Sequence, residues 1–488
     1  MKLNDFNFGY ADASKEYAYY KKMFDVSFHD PFNFIDKLIN GHKYLVVGRK
    51  GVGKTAILSK IKSITDKEQN SSSITLNLAE FQYSRFKKLK VGQDITGSNK
   101  YKVSWELLLL LKIVKHLYEK LEVENDNLIN IVSTLEDIGI NIESTSLEKD
   151  IKFLSKVKLG GELGLKLVKL NGNIDLQKTK NEKDYWENVN EINEYLIKSL
   201  MNLYFPDKKY FLLLDGLDDI LRIKIEQQEI IKSLIRCIDE LNIKFLELPF
   251  KVKIILSIRE DIMNELTDPD MNKIKRDGAL NVDWRSKHEE LQELVIKRLK
   301  YSGITTEEAR EFMNTLLPSK VRKKSAWDYM LDRTLYKPRD ILQFFKTCQE
   351  EFPEYSYLTS GNIKDATKNY SSYYLIQEMK DELSGFIKDE YIMYIPDVFK
   401  SIGDRNFNLH RFKDLLDEAL KPNNISIEEA KKVMNLLYNA GYIGQLITNF
   451  DKSKTSVNFK YRNPNSRFDY RNNFIIHTGI KAGLEIAL

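Results

Sequence analysis

The sequence predicts an α/β protein built on a parallel β-sheet. Short strand-like runs recur at residues 44–47, 73–78, 210–214 and 251–257, and helical patterns separate them. The run at 210–214 is continuously apolar, which is typical of a strand buried on both faces of a parallel sheet, and it ends in the acid Asp215. This alternation indicates a doubly wound sheet, in which a ligand binds at the carboxyl ends of the strands.

A glycine-rich segment follows the first predicted strand and precedes a predicted helix. It fits the pattern of glycine, four free positions, glycine, lysine and serine or threonine, which is the P-loop. Glycines let the main chain wrap tightly around a phosphate chain, and the helix amino terminus adds the positive end of its dipole. The residues expected to bind the nucleotide are Gly48, Gly51, Val52, Gly53, Lys54, Thr55 and Ala56.

The acids after the third predicted strand supply the second half of this site. Lys54 would contact the β- and γ-phosphates, the Thr55 hydroxyl would bind Mg²⁺, and Asp215 would hold the metal from the strand end. Asp218 and Asp219 are candidates to orient the attacking water, with Asp218 slightly favoured. The alternative is an acidic turn that only closes a buried strand.

Two arginines are further candidates for phosphate contacts. Arg259 lies at the end of the fourth predicted strand, close to Ser257, and either side chain could sense the γ-phosphate. Arg339 follows Pro338 at a predicted helix start, from which it could reach the same phosphate. For each arginine the alternative is a structural ion pair with a nearby acid.

Composition narrows the class of protein. The 488 residues suggest two to four domains, and a net charge of +5 neither requires nor excludes nucleic acid. The two cysteines form no CxxC pair, which excludes a cysteine zinc site and a disulfide framework. No apolar run approaches the roughly 20 residues that span a bilayer, and no signal peptide is evident. We therefore expect a cytoplasmic protein with no membrane partner.

The chain divides into four predicted regions. These are a helical lead-in at 1–43, a P-loop core at 44–267, a helical lid at 268–385 and a C-terminal domain at 386–488. An insertion at about 122–185 interrupts the core, and the alternating apolar residues of 157–176 predict a β-ribbon within it. This ribbon could contact a neighbouring subunit or a ligand, or have no role of its own.

The C-terminal domain is predicted to be a winged helix. Three helical patterns lie between residues 391 and 439, and two strands joined by a polar turn follow them. Lys460, Arg462 and Arg467 alternate with aromatic residues in the wing and its sequel, so they could bind DNA. The predicted recognition helix begins with two acids and two lysines within 428–432 and is otherwise apolar, so a winged helix that contacts protein is an equal alternative.

Together these motifs resemble bacterial P-loop ATPases of the STAND and AAA+ type. The segments that carry the resemblance are 44–57, 212–219, 259–262, 337–340 and 436–444, and it covers most of the chain. Such proteins have an ATPase core, a helical lid and a winged helix, and many occur in antiviral defence or signalling loci. The resemblance implies ATP-dependent switching, often with oligomerisation. It also implies phosphate and Mg²⁺ binding by Lys54 and Thr55, a metal-side acid at Asp215 and a lid arginine at Arg339.

The chain departs from these relatives in two places. Asp219 stands where many of them have glutamate, and the interval from Thr55 to Asp215 is long because of the predicted insertion. We therefore expect a slowly hydrolysing switch in bacterial antiviral defence or signalling, with ATP and Mg²⁺ as cofactors and a second copy or an effector protein as partner. The alternatives are a DNA-binding, initiator-like or loading ATPase and a scaffold that binds ATP without turnover.

Overall fold

The computed structural model describes most of the chain. The described residues are 1–81, 83–86, 101–120, 125–137, 140, 142, 185–205, 207–217, 225–266, 269–420, 425–448 and 455–486. Asp218, Asp219 and the predicted ribbon at 157–176 lie outside these residues, so their expected roles stay predictions.

The secondary structure is mainly helical, with two small sets of strands. The strands are β1 (Leu45–Gly48), β2 (Ser71–Asn77), β3 (Lys209–Asp215), β4 (Lys251–Arg259), β5 (Ala279–Asn281), β6 (Ile443–Thr448), β7 (Thr455–Asn458) and β8 (Phe474–Ile476). The helices up to β5 are α1 (Ala13–Tyr19), α2 (Lys21–Ser27), α3 (Phe34–Ile39), α4 (Lys54–Thr65), α5 (Tyr83–Phe86), α6 (Lys102–Lys120), α7 (Asp126–Asp137), α8 (Tyr185–Met201), α9 (Ile225–Lys244), α10 (Glu260–Glu265) and α11 (Pro269–Gly278). The later helices are α12 (Glu290–Lys300), α13 (Thr306–Leu316), α14 (Ala326–Leu331), α15 (Pro338–Glu351), α16 (Ser360–Tyr370), α17 (Ile376–Leu383), α18 (Asp389–Ile402), α19 (Leu409–Ala419), α20 (Ile427–Ala440) and α21 (Thr478–Gly483).

The chain forms two compact units. The sheet unit consists of Asn33–Lys50 and Ile57–Val282, and the helical unit consists of Met1–Phe32, Gly51–Ala56 and Asp283–Leu488. The predicted lead-in at 1–43 is therefore divided between the two units, and the P-loop residues from Gly51 onward belong to the helical unit.

The sheet unit is built on a parallel sheet, which confirms the predicted fold class. Within the described residues its five strands lie in the order β2-β3-β4-β1-β5, and every neighbouring pair is parallel. Helix α6 packs against both α8 and α9, and α9 packs against β4 of this sheet. Their apolar faces and the central strands form one buried core, in which Trp105 and Leu212 are each 1% exposed. Burial of this kind contributes most of the stability of such a sheet.

The sheet extends further along the chain than the sequence predicted. We expected the helical lid to begin at residue 268, but Ala279–Asn281 forms β5 and pairs with β1, and the sheet unit continues to Val282. A three-residue strand is too short to show the alternation of apolar and polar residues that indicates a strand. Its stability comes from its pairing with β1 rather than from its own sequence.

The helical unit contains α1, α2 and helices α12 to α21. Pro338 is the first residue of α15, as predicted, since a proline at this position removes an N–H that has no partner within the helix. A π-helical turn at Ser371–Leu375 joins α16 to α17. Helices α18, α19 and α20 lie at the predicted positions and are followed by the antiparallel hairpin of β6 and β7, while β8 pairs with the other edge of β6. The assignment of this region as a winged helix stays a prediction.

In the described part of the chain, none of the helices is long and apolar enough to cross a membrane. The histidine, cysteine and acidic side chains of this part form no group of three or more that could hold a metal ion by themselves.

Candidate functional site

The carboxyl ends of β1 and β4 form a topological switch point in the sheet unit. The two strands are neighbours, and Gly48 at the end of β1 is paired with Arg259 at the end of β4. From β1 the chain continues to β2 at one edge of the sheet, whereas from β4 it continues to β5 on the other side of β1. The two connections run in opposite directions across the sheet, and doubly wound sheets bind ligands at the carboxyl ends of strands where the direction changes in this way. The P-loop sequence begins at Gly48, the last residue of β1.

Asp215 lies at the carboxyl end of β3, as predicted. Its Oδ1 accepts a hydrogen bond from the hydroxyl of Ser257 on the adjacent strand β4. Its Oδ2 has no hydrogen-bond partner among the described residues, so one carboxylate oxygen remains available as a ligand. The sequence placed Ser257 on the phosphate side of the sheet, and the structure shows that its hydroxyl orients the acid.

Arg259 forms an ion pair with Asp261, which is the alternative that the sequence left open. Its Nε is 3.0 Å from Oδ1 and its Nη2 is 2.5 Å from Oδ2 of Asp261, and the arginine is 7% exposed. Such a two-point contact holds the guanidinium plane in one orientation. Asp261 also accepts a hydrogen bond from the N–H of Ile262 in the first turn of α10. Arg259 is therefore held at the carboxyl end of β4 by an acid two residues further along the chain.

The P-loop residues of the helical unit have the conformation that their sequence requires. Gly51 and Gly53 have main-chain φ values of +83° and +102°, which residues other than glycine rarely adopt. Helix α4 starts at Lys54, whose side chain is almost completely buried at 4% exposure. A helix amino terminus that follows two glycines in this conformation presents main-chain N–H groups to an anion.

Two residues distant in sequence hold the carbonyl groups of this loop. The indole Nε1 of Trp284 donates a hydrogen bond to the carbonyl oxygen of Val52 over 3.0 Å, in a buried environment. The main-chain N–H of Arg339 donates to the carbonyl oxygen of Gly51 over 3.4 Å. The carbonyl groups of Gly51 and Val52 thus accept hydrogen bonds from residues outside the loop. The N–H groups of the loop are therefore not needed as donors to these two carbonyl groups. No sequence motif indicated that Trp284 supports the P-loop. The one available signal was its indole N–H, because a buried tryptophan usually donates this N–H to a hydrogen-bond partner.

Arg339 is positioned by a network of charges at the start of α15. Its Nη1 lies 3.8 Å from Oε2 of Glu378, so the predicted alternative of an ion pair within the helical region is present. One turn further along α17, Glu382 forms a buried ion pair with Lys337 at 2.9 Å. Asp340 accepts hydrogen bonds from the N–H of Leu335 and the hydroxyl of Tyr374. The segment 337–340 is thereby fixed next to Gly51.

The three predicted DNA-binding residues differ in their surroundings. Lys460 donates to the carbonyl oxygens of Pro464 and Ser466 at 2.6 and 2.7 Å, so it closes the loop that follows β7. Arg462 donates to Asp332 at 2.9 Å. The side chain of Arg467 is exposed and has no hydrogen-bond or ion-pair partner among the described residues. Only Arg467 of these three is thus presented to solvent without a structural contact.

Arg467 lies on a basic pocket that the sequence did not predict. The pocket has a volume of about 600 Å³ between α20 and the loop after β7. Its polar lining includes Lys431, Lys432, Asn435, Asn439 and Arg467. Lys431 lies over the ring of the exposed Tyr470 at 4.5 Å and pairs with Glu428 at 2.7 Å. The spacing of Lys431, Lys432, Asn435 and Asn439 places them on one face of α20. The sequence alone does not show that Arg467 lies beside this face.

Comparisons of sequence give two matches. The profile of the FunZ-associated C-terminal helical domain matches residues 289–378, which lie within the helical unit. The transposon gamma-delta 80.3 kDa protein of Escherichia coli (strain K12) is 21% identical over 500 residues. That alignment covers 96% of this chain but 66% of the relative, so the chain spans slightly less than two thirds of the length of the curated protein it matches.

Comparisons of structure give distant matches to two proteins of Aeropyrum pernix. The ORC1 protein of Aeropyrum pernix, solved in complex with DNA, is 11% identical with a TM-score of 0.38, and the match covers 92% of this chain and 89% of that one. The ORC2 protein of the same organism, solved as ADPNP-ADP complexes, is 10% identical with a TM-score of 0.41 over 96% of each chain. From its own structure, the chain is an α/β protein that carries a P-loop sequence at the switch point of a parallel sheet.

Proposed function

We propose that this protein is an ATP-binding switch that hydrolyses ATP slowly. One observation carries the proposal: a complete P-loop sequence, with left-handed glycines and a helix that starts at Lys54, begins at the switch point of a parallel sheet. This combination is the one that binds nucleotide phosphates through main-chain N–H groups. Asp215 at the end of β3 supports the proposal, because strand-end acids hold the magnesium ion in such sites.

Each residue of the site would have a defined role. The ammonium group of Lys54 would neutralise charge on the β- and γ-phosphates, and the P-loop N–H groups would orient them. Thr55 and Asp215 offer the hydroxyl and carboxylate oxygens that Mg²⁺ prefers, and the ion would offset the charge that develops during phosphoryl transfer. Arg339, next to Gly51, would exchange its contact with Glu378 for the γ-phosphate. Asp218 or Asp219 would orient the water, with Asp218 preferred.

The exchange at Arg339 would convert ATP binding into a change of the helical region. Glu378 lies on α17, which packs against α20, so a release of this contact would reach the C-terminal helices. We infer that the ATP-bound form associates with a second copy or with an effector protein, in bacterial antiviral defence or signalling. The test measures phosphate release together with light scattering, with and without ATP. Slow release and ATP-dependent assembly are expected, whereas unchanged scattering would remove the proposed association.

DNA binding is the second candidate function, and the basic pocket beside α20 favours it. Lys432 and Arg467 have no hydrogen-bond or ion-pair partners among the described residues, and both line the pocket together with two asparagines. Lysine and arginine neutralise phosphates, while asparagine can pair with base edges. In this respect the chain would act like the neighbour ORC1, whose structure was solved with DNA.

A charge-reversal experiment tests this candidate. The double variant Lys432→Glu/Arg467→Glu should lose duplex DNA binding, measured by fluorescence anisotropy at several salt concentrations. The matched control is Lys320→Glu/Lys364→Glu, which makes the same change of net charge at exposed lysines away from the pocket. Equal loss in both variants would indicate a dependence on net charge alone, and unchanged binding in the first would exclude the pocket.

A further inference from the structure

A second pocket lies in the sheet unit, at the end of the parallel sheet where its strands begin. It has a volume of about 610 Å³ and lies where β1, β3 and β4 begin, beside the carboxyl end of α9. A volume of this size is typical of sites for small organic ligands. Residues from the amino ends of three strands line it, whereas phosphate chemistry in such sheets takes place at the carboxyl ends. The ATP site therefore does not account for this pocket.

Four lysines on the pocket supply unused hydrogen-bond donors. Lys251 donates to the carbonyl oxygen of Ile39 at 2.5 Å, and Lys253 donates to those of Leu38 and Gly41 at 2.6 and 2.7 Å. Lys208 donates to the Gln69 carbonyl at 3.2 Å, whereas the Lys209 ammonium has no hydrogen bond or ion pair among the described residues. Because an ammonium group has three N–H donors, each of these lysines retains at least one.

The positive charge of this cluster is only partly offset. Two acids also line the pocket, Asp207 and Asp239, and Asp239 accepts a hydrogen bond from the hydroxyl of Tyr44. Burial, followed by the neighbouring Lys209 charge, lowers the pKa of Lys251. Burial and the Lys251 charge lower the pKa of Lys253 to about 8. An anion in the pocket would reduce this repulsion between the ammonium groups.

Apolar side chains form a large part of the remaining wall of the pocket, to which Asn40, His42 and Asn242 also contribute. Its lining includes Phe245, Leu248 and Phe250, which are buried, and Ile243 and Leu246, which are 60% and 82% exposed. Large aliphatic side chains that are exposed at the rim of a concave site can cover the apolar part of a ligand. The pocket thus combines a cationic side with an apolar side.

We propose that this pocket binds a small amphipathic anion, with a carboxylate, sulfonate or phosphate at Lys209 and Lys251 and an apolar body against Ile243, Leu246 and Phe250. The ligand would lie at the amino ends of β3 and β4, whose carboxyl ends carry Asp215 and Arg259. This site is distinct from the proposed nucleotide site and does not depend on ATP binding.

Two fluorescent probes with the same aromatic body test the proposal. 1-Anilinonaphthalene-8-sulfonate carries a sulfonate, and N-phenyl-1-naphthylamine does not. The full chain should bind both probes. Lys209→Glu should weaken the sulfonate probe by roughly tenfold or more, since it removes a charge-assisted contact, and should leave the neutral probe within about twofold. Ile243→Asp should weaken both probes. Lys198→Glu, at an exposed position of α8, is the matched control for charge.

The titrations are repeated in Lys54→Ala, so that binding at the P-loop cannot be mistaken for binding here. Identical affinities in that background support a separate site, even if the protein fails to bind ATP. The proposal is wrong if Lys209→Glu and Ile243→Asp leave the sulfonate probe unaffected. It is also wrong if Lys209→Glu weakens the neutral probe as much as the charged one, because the lysine would then have no selectivity for an anion.

Discussion

The indole Nε1 of Trp284 donates a hydrogen bond to the main-chain carbonyl oxygen of Val52 over 3.0 Å. This buried contact joins a residue just after the sheet unit to the middle of the P-loop sequence. It fixes the direction of one peptide group in a loop whose function depends on the directions of its peptide groups. A residue outside the motif therefore helps to set the conformation of the motif.

Replacement of Trp284 by phenylalanine should weaken ATP binding without removing the phosphate ligands. The variant leaves the Val52 carbonyl without its donor in a buried position, at a cost of about 1–2 kcal/mol. If the loop alone bears this cost, the dissociation constant for ATP rises about tenfold. Isothermal titration of Trp284→Phe and of the control Trp327→Phe measures the difference. Equal affinities in the two variants would show that the hydrogen bond does not support the site.

Replacement of Asp215 by asparagine should abolish Mg²⁺-dependent hydrolysis. The amide oxygen can still accept the hydrogen bond from Ser257, but the negative charge that would hold the metal is lost. We expect phosphate release to fall by about 100-fold or more, while ATP binding without Mg²⁺ stays unchanged. Ser257→Ala is the comparison, because it removes the hydrogen bond and keeps the charge. An Asp215→Asn variant with the wild-type rate would exclude this acid as the metal ligand.

Replacing one partner of the buried ion pair of Lys337 and Glu382 should lower the free energy of unfolding much more than replacing both partners. The two side chains are 4% and 7% exposed and lie 2.9 Å apart. Lys337→Met leaves a buried carboxylate without its partner, so the free energy of unfolding should fall by about 3–5 kcal/mol. The double variant Lys337→Met/Glu382→Leu should recover most of that loss. Urea unfolding of the three proteins measures it, and a double variant at least as unstable as Lys337→Met would contradict the prediction.

His477 should make the helical unit less stable as the pH falls. Burial lowers its pKa to about 3, with further contributions from Arg462, Arg333 and Lys481. The N–H of Gly479 donates a hydrogen bond to Nδ1 of His477, so Nδ1 carries no proton and the ring is neutral. Nε2 lies 3.0 Å from the hydroxyl oxygen of Tyr461. Protonation of Nδ1 would place its new N–H against the N–H of Gly479.

The unfolded chain protonates this histidine below its usual pKa of 6.5, whereas the folded chain does so only near 3. Stability is therefore lost as the pH falls through this interval, by about 2 kcal/mol between pH 7 and pH 5. Thermal unfolding at both pH values should show a smaller decrease for His477→Gln than for the wild type. The same decrease in both proteins would assign the acid sensitivity to other groups.

Local sequence patterns were sufficient to predict four strands of the sheet and the P-loop. The apolar run that forms β3 is longer than a chance cluster and ends in Asp215, and the strand-loop-helix order around Lys54 satisfies the context that the P-loop requires. Pro338 indicated a helix start because, within a helix, a missing N–H is tolerated in the first turn. These features depend on residues that are close in sequence.

Features that depend on distant contacts could not be predicted in this way. Strand β5 has three residues and depends on its pairing with β1. Trp284 is far from Val52 in sequence, and nothing near either residue indicates their hydrogen bond. The charge of Lys460 made it a candidate for DNA binding, and the fold shows that its ammonium group donates to two carbonyl oxygens of its own loop. A charge pattern shows which groups are available, and only the fold shows which of them are already paired.

The affinity of Lys54→Ala for ATP tests the central claim most directly. Isothermal titration with ATP and Mg²⁺ is performed on the wild type, on Lys54→Ala and on Lys62→Ala, a partly exposed lysine of the same helix that pairs with Asp66. We predict that the wild type and Lys62→Ala bind ATP alike and that Lys54→Ala shows no measurable binding. Unchanged ATP affinity in Lys54→Ala would contradict the assignment of this loop as the nucleotide site.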